Sequence, residues 1–251
     1  MIKAIMNGCG GRMGKMILSV ADTDPEINIV AGVDRVNVQN MSLPVFGDIS
    51  HCNIPADVVI DFSLPEATDA LLDHCVEKKL PLVLCTTGLS DAQIEKVEKA
   101  AETIPVLRSA NMSIGINLIM NVLKETAGKL AAAGFDIEVV EKHHNKKKDA
   151  PSGTAIALAE TMLSVLPEDY STVYDRSERN EARPANEIGI SAVRGGTIPG
   201  DHDVIFAGED EVITFSHRAY SRAIFAKGAI AAAKFLVGKA PGLYSMSDVL
   251  S

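Results

Sequence analysis

Residues 138–155, EVVEKHHNKKKDAPSGTA, gather Lys142, Lys146, Lys147 and Lys148 around His143 and His144. Histidine titrates near neutrality, so an imidazole held beside ammonium groups is suited to deliver a proton to a reacting anion. Taken one at a time, each lysine also reads as a solvated surface charge. Zinc is disfavoured, because adjacent histidines on a strand point to opposite faces and no third His or Cys lies at a usual ligand spacing. The next residues, Ser152, Gly153 and Thr154, have the composition of a helix start, with Ser152 as the cap, and the free N–H groups of such a start can grip a carboxylate. Lysines on one side and a helix N-terminus on the other suit a small dicarboxylate.

A second cluster sits near the N-terminus, where NGCGGRMG places Gly8, Gly11 and Gly14 directly after a predicted strand and before a predicted helix. Glycines let backbone N–H groups approach a pyrophosphate, and the helix start adds partial positive charge. Asp34 closes the next strand 20 residues after Gly14. An acid there accepts from the ribose hydroxyls of NAD, or it merely caps a loop. Its neighbour Arg35 either pairs with the 2′-phosphate of NADP or is solvated. The turns at Cys85, Thr86 and Thr87 and at Ser109, Ala110, Asn111 and Met112 also follow predicted strands. They either frame a nicotinamide or cap the helices behind them.

These groups need elements to hold them. Apolar runs at 2–6, 27–33, 58–60, 81–84 and 104–107 alternate with helix-like segments after residue 14, at 65–78 and at 91–101. This β-α alternation predicts a Rossmann-like, doubly wound parallel sheet, whose ligands lie at the carboxyl ends of its strands. Past residue 113 the pattern changes to a helix at 116–133, a strand at 136–142, a helix from 152 to about 166, a polar stretch at 167–186 and strands at 188–194, 203–207 and 212–216. That order predicts an α+β domain on an open mixed, mostly antiparallel sheet. The predicted division is a dinucleotide-binding domain at 1–113, completed by 222–251 with its Ala-rich helix at 222–237, and a second domain at 114–221.

Composition narrows the function. The 251-residue chain carries a net charge of −9, so non-specific nucleic-acid binding lacks its usual electrostatic source. No apolar run approaches the ~20 residues of a membrane helix, and the N-terminus lacks a signal-peptide core, which predicts a cytoplasmic protein. Cys9, Cys52, Cys75 and Cys85 show neither disulfide-framework nor zinc spacing and read as reduced thiols.

Together these motifs resemble the 4-hydroxy-tetrahydrodipicolinate (dihydrodipicolinate) reductase family over nearly the whole chain. The resemblance runs through GCGGRMG at 8–14, TTG at 86–88, ANMSIG at 110–115, EKHHNKKKDAPSGTA at 141–155, VRGG at 193–196, GDHDVIFAG at 200–208 and SRAIFAKGA at 221–229. It implies reduction of 4-hydroxy-tetrahydrodipicolinate to tetrahydrodipicolinate by NADH or NADPH in lysine and diaminopimelate biosynthesis. It further implies His143 as proton donor with Lys147 assisting, and His144, Gly153 and Thr154 as substrate-carboxylate ligands. The cofactor contacts it implies are Gly8, Cys9, Gly10, Gly11, Arg12, Met13, Asp34, Arg35, Cys85–Thr87 and Ser109–Met112, and the implied assembly is a homotetramer through the second domain's sheet. Cys85, where many relatives have glycine, and a short loop after the second strand are departures. A nucleotide-sensing homologue without chemistry is the alternative, and the retention of His143 and Lys147 speaks against it.

Overall fold

The computed structural model describes every residue except Asn37, Gln39, Asn40, Ala110, Asp175 and Glu178. The chain begins with β1 (Ile2–Asn7), α1 (Arg12–Ala21), β2 (Ile27–Val33) and β3 (Val45–Phe46), followed by a short 3-10 turn at Ile49–His51. It continues with β4 (Val58–Asp61), α2 (Pro65–Lys78), β5 (Leu82–Leu84), α3 (Asp91–Ala101) and β6 (Pro105–Arg108). Next come α4 (Ile114–Ala132), β7 (Asp136–His143), α5 (Gly153–Leu163), β8 (Ser171–Val173), β9 (Glu187–Arg194), β10 (Asp201–Ala207) and β11 (Val212–Arg218). The chain ends with α6 (Ala223–Leu236), β12 (Gly242–Tyr244) and α7 (Met246–Val249). Two compact units result, one of Met1–Ile114 with Arg222–Ser251 and one of Gly115–Ser221.

The first unit is a seven-stranded sheet in the order β12-β6-β5-β4-β1-β2-β3, parallel at every pairing. Its strands carry apolar residues toward both faces, as a sheet covered on both sides requires. Ala4, Met6, Val58, Ile60 and Val83 enter one core with Ile17 of α1 and Ala229, Ala233 and Leu236 of α6. The alternate residues Ile5, Val59, Leu82 and Leu84 enter the other core, with Leu71 and Leu72 of α2 and Val97 and Ala100 of α3. Successive strand side chains point to opposite faces, so this partition follows from the period of two. Pro65 opens α2 at its first position, and Ser90 with Gln93 closes a capping box on α3. The strand order reverses between β1 and β4, which opens a crevice at their carboxyl ends.

In the second unit the order is β11-β10-β7-β9-β8. This mixed sheet has two antiparallel pairings, β11 with β10 and β10 with β7, and two parallel ones, β7 with β9 and β9 with β8. The expectation of a mostly antiparallel sheet is corrected in that respect, because β8 emerges from the polar stretch 167–186 and pairs in parallel with β9. Three arginines anchor that stretch. Arg176 and Arg179 bond the buried Glu187, and Arg176 and Arg183 bond Glu138 on β7. One face of the sheet packs Ile137, Val139, Ile190, Val204 and Phe206 against Leu123 and Ala127 of α4 and Leu158 and Met162 of α5. Among the described residues no helix is long and apolar enough to cross a membrane.

Candidate functional site

In the first unit, Gly8 adopts φ +82°, and a Cβ there would lie 2.4 Å from the Phe62 carbonyl oxygen. A Cβ at Gly14 would lie 2.2 Å from the Gly8 carbonyl oxygen. Neither clash can be relieved by a flexible side chain, so glycine is required where the turn passes against β4 and where α1 leaves it. The Gly8 and Cys9 amides donate to the Val33 carbonyl, and the Gly10 amide donates to Asp34 Oδ2 at 2.8 Å. Asp34 thereby ties the end of β2 to the turn after β1.

Gly8, Gly10, Gly11, Asp34 and Arg35 line a cavity of about 610 Å³, together with Asn7, Lys15, Phe62 and Ser63. This open backbone cradle, with Lys15 and Arg35 at its wall, fits an anionic dinucleotide and falls within the usual range for ligand clefts. Arg12, Met13, Cys85, Thr87, Ser109, Asn111 and Met112 line a second cavity of about 300 Å³, shared with Phe62, Arg222 and Phe225. Phe62 borders both. Gly228 of α6 lets that helix close on this loop, since a Cβ there would sit 1.7 Å from the Met112 carbonyl oxygen. Ala110 lies outside the described residues.

Two of the named residues turn inward instead. Cys9 is fully buried, and burial raises its thiol to about 11, with Asp34 adding to the effect. Thr86 donates its hydroxyl to Asp61 Oδ2 at 2.5 Å, while Asn7 Nδ2 and the Ser63 amide donate to Asp61 Oδ1 at 2.7 and 3.2 Å. Burial pushes the Asp61 carboxyl upward in spite of these donors. The carboxyl joins the ends of β1, β4 and β5. Burial likewise holds the Cys85 thiol well above its ordinary value, so it is inert as a nucleophile.

In the second unit the centre is Glu141, a β7 residue with no exposed surface that sequence reasoning passed over. Its Oε2 lies 2.6 Å from His143 Nδ1 and accepts from Arg194 Nη1 at 2.7 Å, and its Oε1 accepts from Arg194 Nη2 at 2.6 Å and the Ser152 amide at 2.9 Å. Burial alone would raise this carboxyl, but the Arg194 fork, His143 and the Ser152 amide outweigh it and hold it below its usual range. His143 is held below 6.5, first by burial and then by Lys147 and Arg194, with Glu141 opposing.

Ser152 caps α5, accepting from the Ala155 amide at 3.1 Å, and its hydroxyl lies 2.9 Å from His202 Nε2. His202 meets the His143 ring edge-on at 5.2 Å, and burial with His143 nearby pushes it down to about 4. Gly153 and Thr154 form the first turn of α5. Lys147 Nζ bonds Asp149 Oδ2 at 2.7 Å, and the His144 amide donates to the Ile198 carbonyl at 2.8 Å. The His144 Nδ1 atom is buried and has no hydrogen-bond partner among the described residues.

His143 and the α5 start are thus joined by one carboxylate. Arg194 and His202, which sequence reasoning also missed, come from other strands of the sheet. Their only signal was their place inside the VRGG and GDHDVIFAG motifs. Among the described residues no group of three or more His, Cys, Asp or Glu side chains is arranged to hold a metal ion.

Two family models cover the chain. The one described as dihydrodipicolinate reductase, N-terminus, matches residues 2–112, and the one described as dihydrodipicolinate reductase, C-terminus, matches residues 115–250. The chain belongs to the dihydrodipicolinate reductase family. Among family members, a 4-hydroxy-tetrahydrodipicolinate reductase of Caldanaerobacter subterraneus subsp. tengcongensis is 53% identical over 250 residues, covering 100% of this chain and 98% of the relative. Another, of Clostridium novyi, is 47% identical over 251 residues with the same coverage. The solved structure of a dipicolinate-bound dihydrodipicolinate reductase from Paenisporosarcina sp. TG-14 superposes with a TM-score of 0.81 at 26% identity, covering 98% of this chain and 97% of that one.

Proposed function

We propose that this family member reduces 4-hydroxy-tetrahydrodipicolinate to tetrahydrodipicolinate, with NADH or NADPH as reductant and loss of water, in lysine and diaminopimelate biosynthesis. The observation that carries the reading is the Glu141–His143 pair held against the N-terminus of α5, an acid and an anion site built as one piece. The reduced nicotinamide supplies the hydride. In the first unit, Gly8 to Met13, Asp34 and Arg35 hold the dinucleotide, and the turns Cys85–Thr87 and Ser109–Met112 flank its nicotinamide end. In the second unit, His144, Gly153 and Thr154 bind the substrate carboxylates through the positive end of α5. His143 holds a proton at Nε2 for the negative charge that hydride delivery leaves on the ring, and Lys147 adds positive charge beside it.

His143 is largely neutral in the free protein near pH 7. Two arriving carboxylates reverse this, because nearby anions favour the imidazolium. The silent nucleotide-sensing alternative draws no support from the named relatives, which are reductases. The assay generates substrate in place with the preceding synthase and follows NADH and NADPH oxidation separately. Oxidation of neither overturns the reading.

The assembly that goes with it is a cytoplasmic homotetramer formed through the second unit's sheet. One face of that sheet covers its core, and the other carries the partly exposed Val140 and Ile205 and the exposed Val193. Light scattering should give four times the chain mass, and a monomer at micromolar concentration would remove the tetramer.

A further inference from the structure

Among the described residues four groups hydrogen-bond the two Glu141 oxygens, and which of them must donate decides more than stability. Arg194 cannot be deprotonated and the Ser152 amide can only donate, so both Glu141 oxygens act as acceptors. The hydrogen between Glu141 Oε2 and His143 Nδ1 therefore belongs to the imidazole. The opposite nitrogen, Nε2, lies against Gly200, where a Cβ would stand 3.0 Å from it. Only a glycine leaves that nitrogen uncrowded.

Arg194 carries the arrangement further. While its two Nη atoms grip Glu141, Nη2 also donates to the Asp149 carbonyl at 2.8 Å. The segment before α5 is thereby fixed at Asp149 by Arg194 and at Ser152 by Glu141.

The geometry points to Glu141, clamped by Arg194, as a positioning residue that fixes His143 as the Nδ1–H tautomer, confines its proton exchange to Nε2, and holds the anion-binding start of α5 in register with that nitrogen. The inference rests on the reading of His143 as the acid. The charged and titratable groups facing His143 are Glu141, Arg194, Lys147 and His202. Of these only Glu141 bonds its ring, so no other group substitutes for it. A carboxylate serves where an amide does not. With Gln at this position, an NH₂ group facing Nδ1 would favour the opposite tautomer and place the bare nitrogen on the wrong side of the ring.

The test reads tautomers by long-range ¹H–¹⁵N NMR on the histidine-labelled protein at pH 8, without substrate or cofactor, with His143 assigned from a His143→Gln sample. The parent should show Nδ1–H at His143. Glu141→Gln should shift it to Nε2–H and lower kcat roughly a hundredfold or more, while KM for the reduced dinucleotide stays within about threefold. Glu141→Asp should keep the parent tautomer. A solely architectural Glu141 would change thermal stability and leave the tautomer alone. The proposal is overturned by a parent protein in the Nε2–H form, a spectrum that decides even if Glu141→Gln fails to fold. It is equally overturned by a folded Glu141→Gln that keeps Nδ1–H with kcat within about threefold. Because the spectra need no turnover, a failure of the reductase reading shows in the oxidation assay and leaves the tautomer result standing.

Discussion

His143 and Thr154 are assigned to different steps, and kinetics can separate them. His143→Ala should lower kcat by ~10² to 10⁴-fold, the usual worth of a general acid. Thr154→Ala should instead raise KM, by an amount reflecting ~1.5 to 3 kcal/mol for a hydrogen bond to a charged group, and keep much of its kcat. Since the acid must be protonated and its free-state pKa lies below 6.5, kcat/KM should fall as pH rises through that lower value. The fall in kcat, which reports the bound complex, should come at higher pH. An unchanged kcat in His143→Ala would move the acid role to Lys147. Arg35 is exposed, donates from Nη2 to the Glu66 carbonyl at 3.4 Å, and lines the dinucleotide-sized cavity. Arg35→Ala should therefore weaken NADPH far more than NADH, and equal effects on both would mean that it is only solvated. At this scale the sequence displayed the residue types but not their partners. Nothing local to EKHHNKKK says that Arg194 lies across from His143, or His202 across from Glu141. Those pairings come from the registers of β9 and β10 on β7, set 51 and 61 positions along the chain.

Elements were legible where period and punctuation agreed. Residues 27–33, 65–78 and 91–101 coincide with β2, α2 and α3 because an unbroken β-rich run, an N1 proline and a serine cap mark their ends. The strands β3, β8 and β12 went unseen. At two or three residues each they are too short to show a period, and only neighbours that pair with them make them strands. The α5 start was visible as a cap, and its second role was not. Ser152 answers both the Ala155 amide and His202, so Ser152→Ala should cost about 2 kcal/mol or more, a lost cap plus a buried imidazole atom without a partner. Urea unfolding at pH 7.5 measures it, and a cost below about 0.5 kcal/mol would show that His202 finds another partner.

For the molecule as a whole, the Rossmann-like sheet followed from β-α alternation, whereas the evenly mixed pairing of the second sheet depended on long-range choices that no window of sequence records. Stability against acid should also be set by a group the sequence did not single out. His202 titrates at about 4 when folded and near 6.5 when unfolded, so the unfolded chain binds the extra proton and stability falls as pH drops through that window. Between pH 6.5 and 5 this amounts to about 2 kcal/mol. His202→Gln should flatten the slope of unfolding free energy over that range, and an undiminished slope would assign it elsewhere. One further consequence follows from the chain's path, in which α6 and α7 complete a core begun by β1 and α1 only after the whole second unit has been threaded between them. During synthesis the face of the first sheet that carries Ala4, Met6 and Ile60 must wait for Ala229, Ala233 and Leu236 while about a hundred intervening residues are translated. At ribosomal speeds that is roughly 5 to 20 s of exposed apolar surface on the nascent chain, time enough for the inserted unit to fold first and for a chaperone to engage the strands left behind.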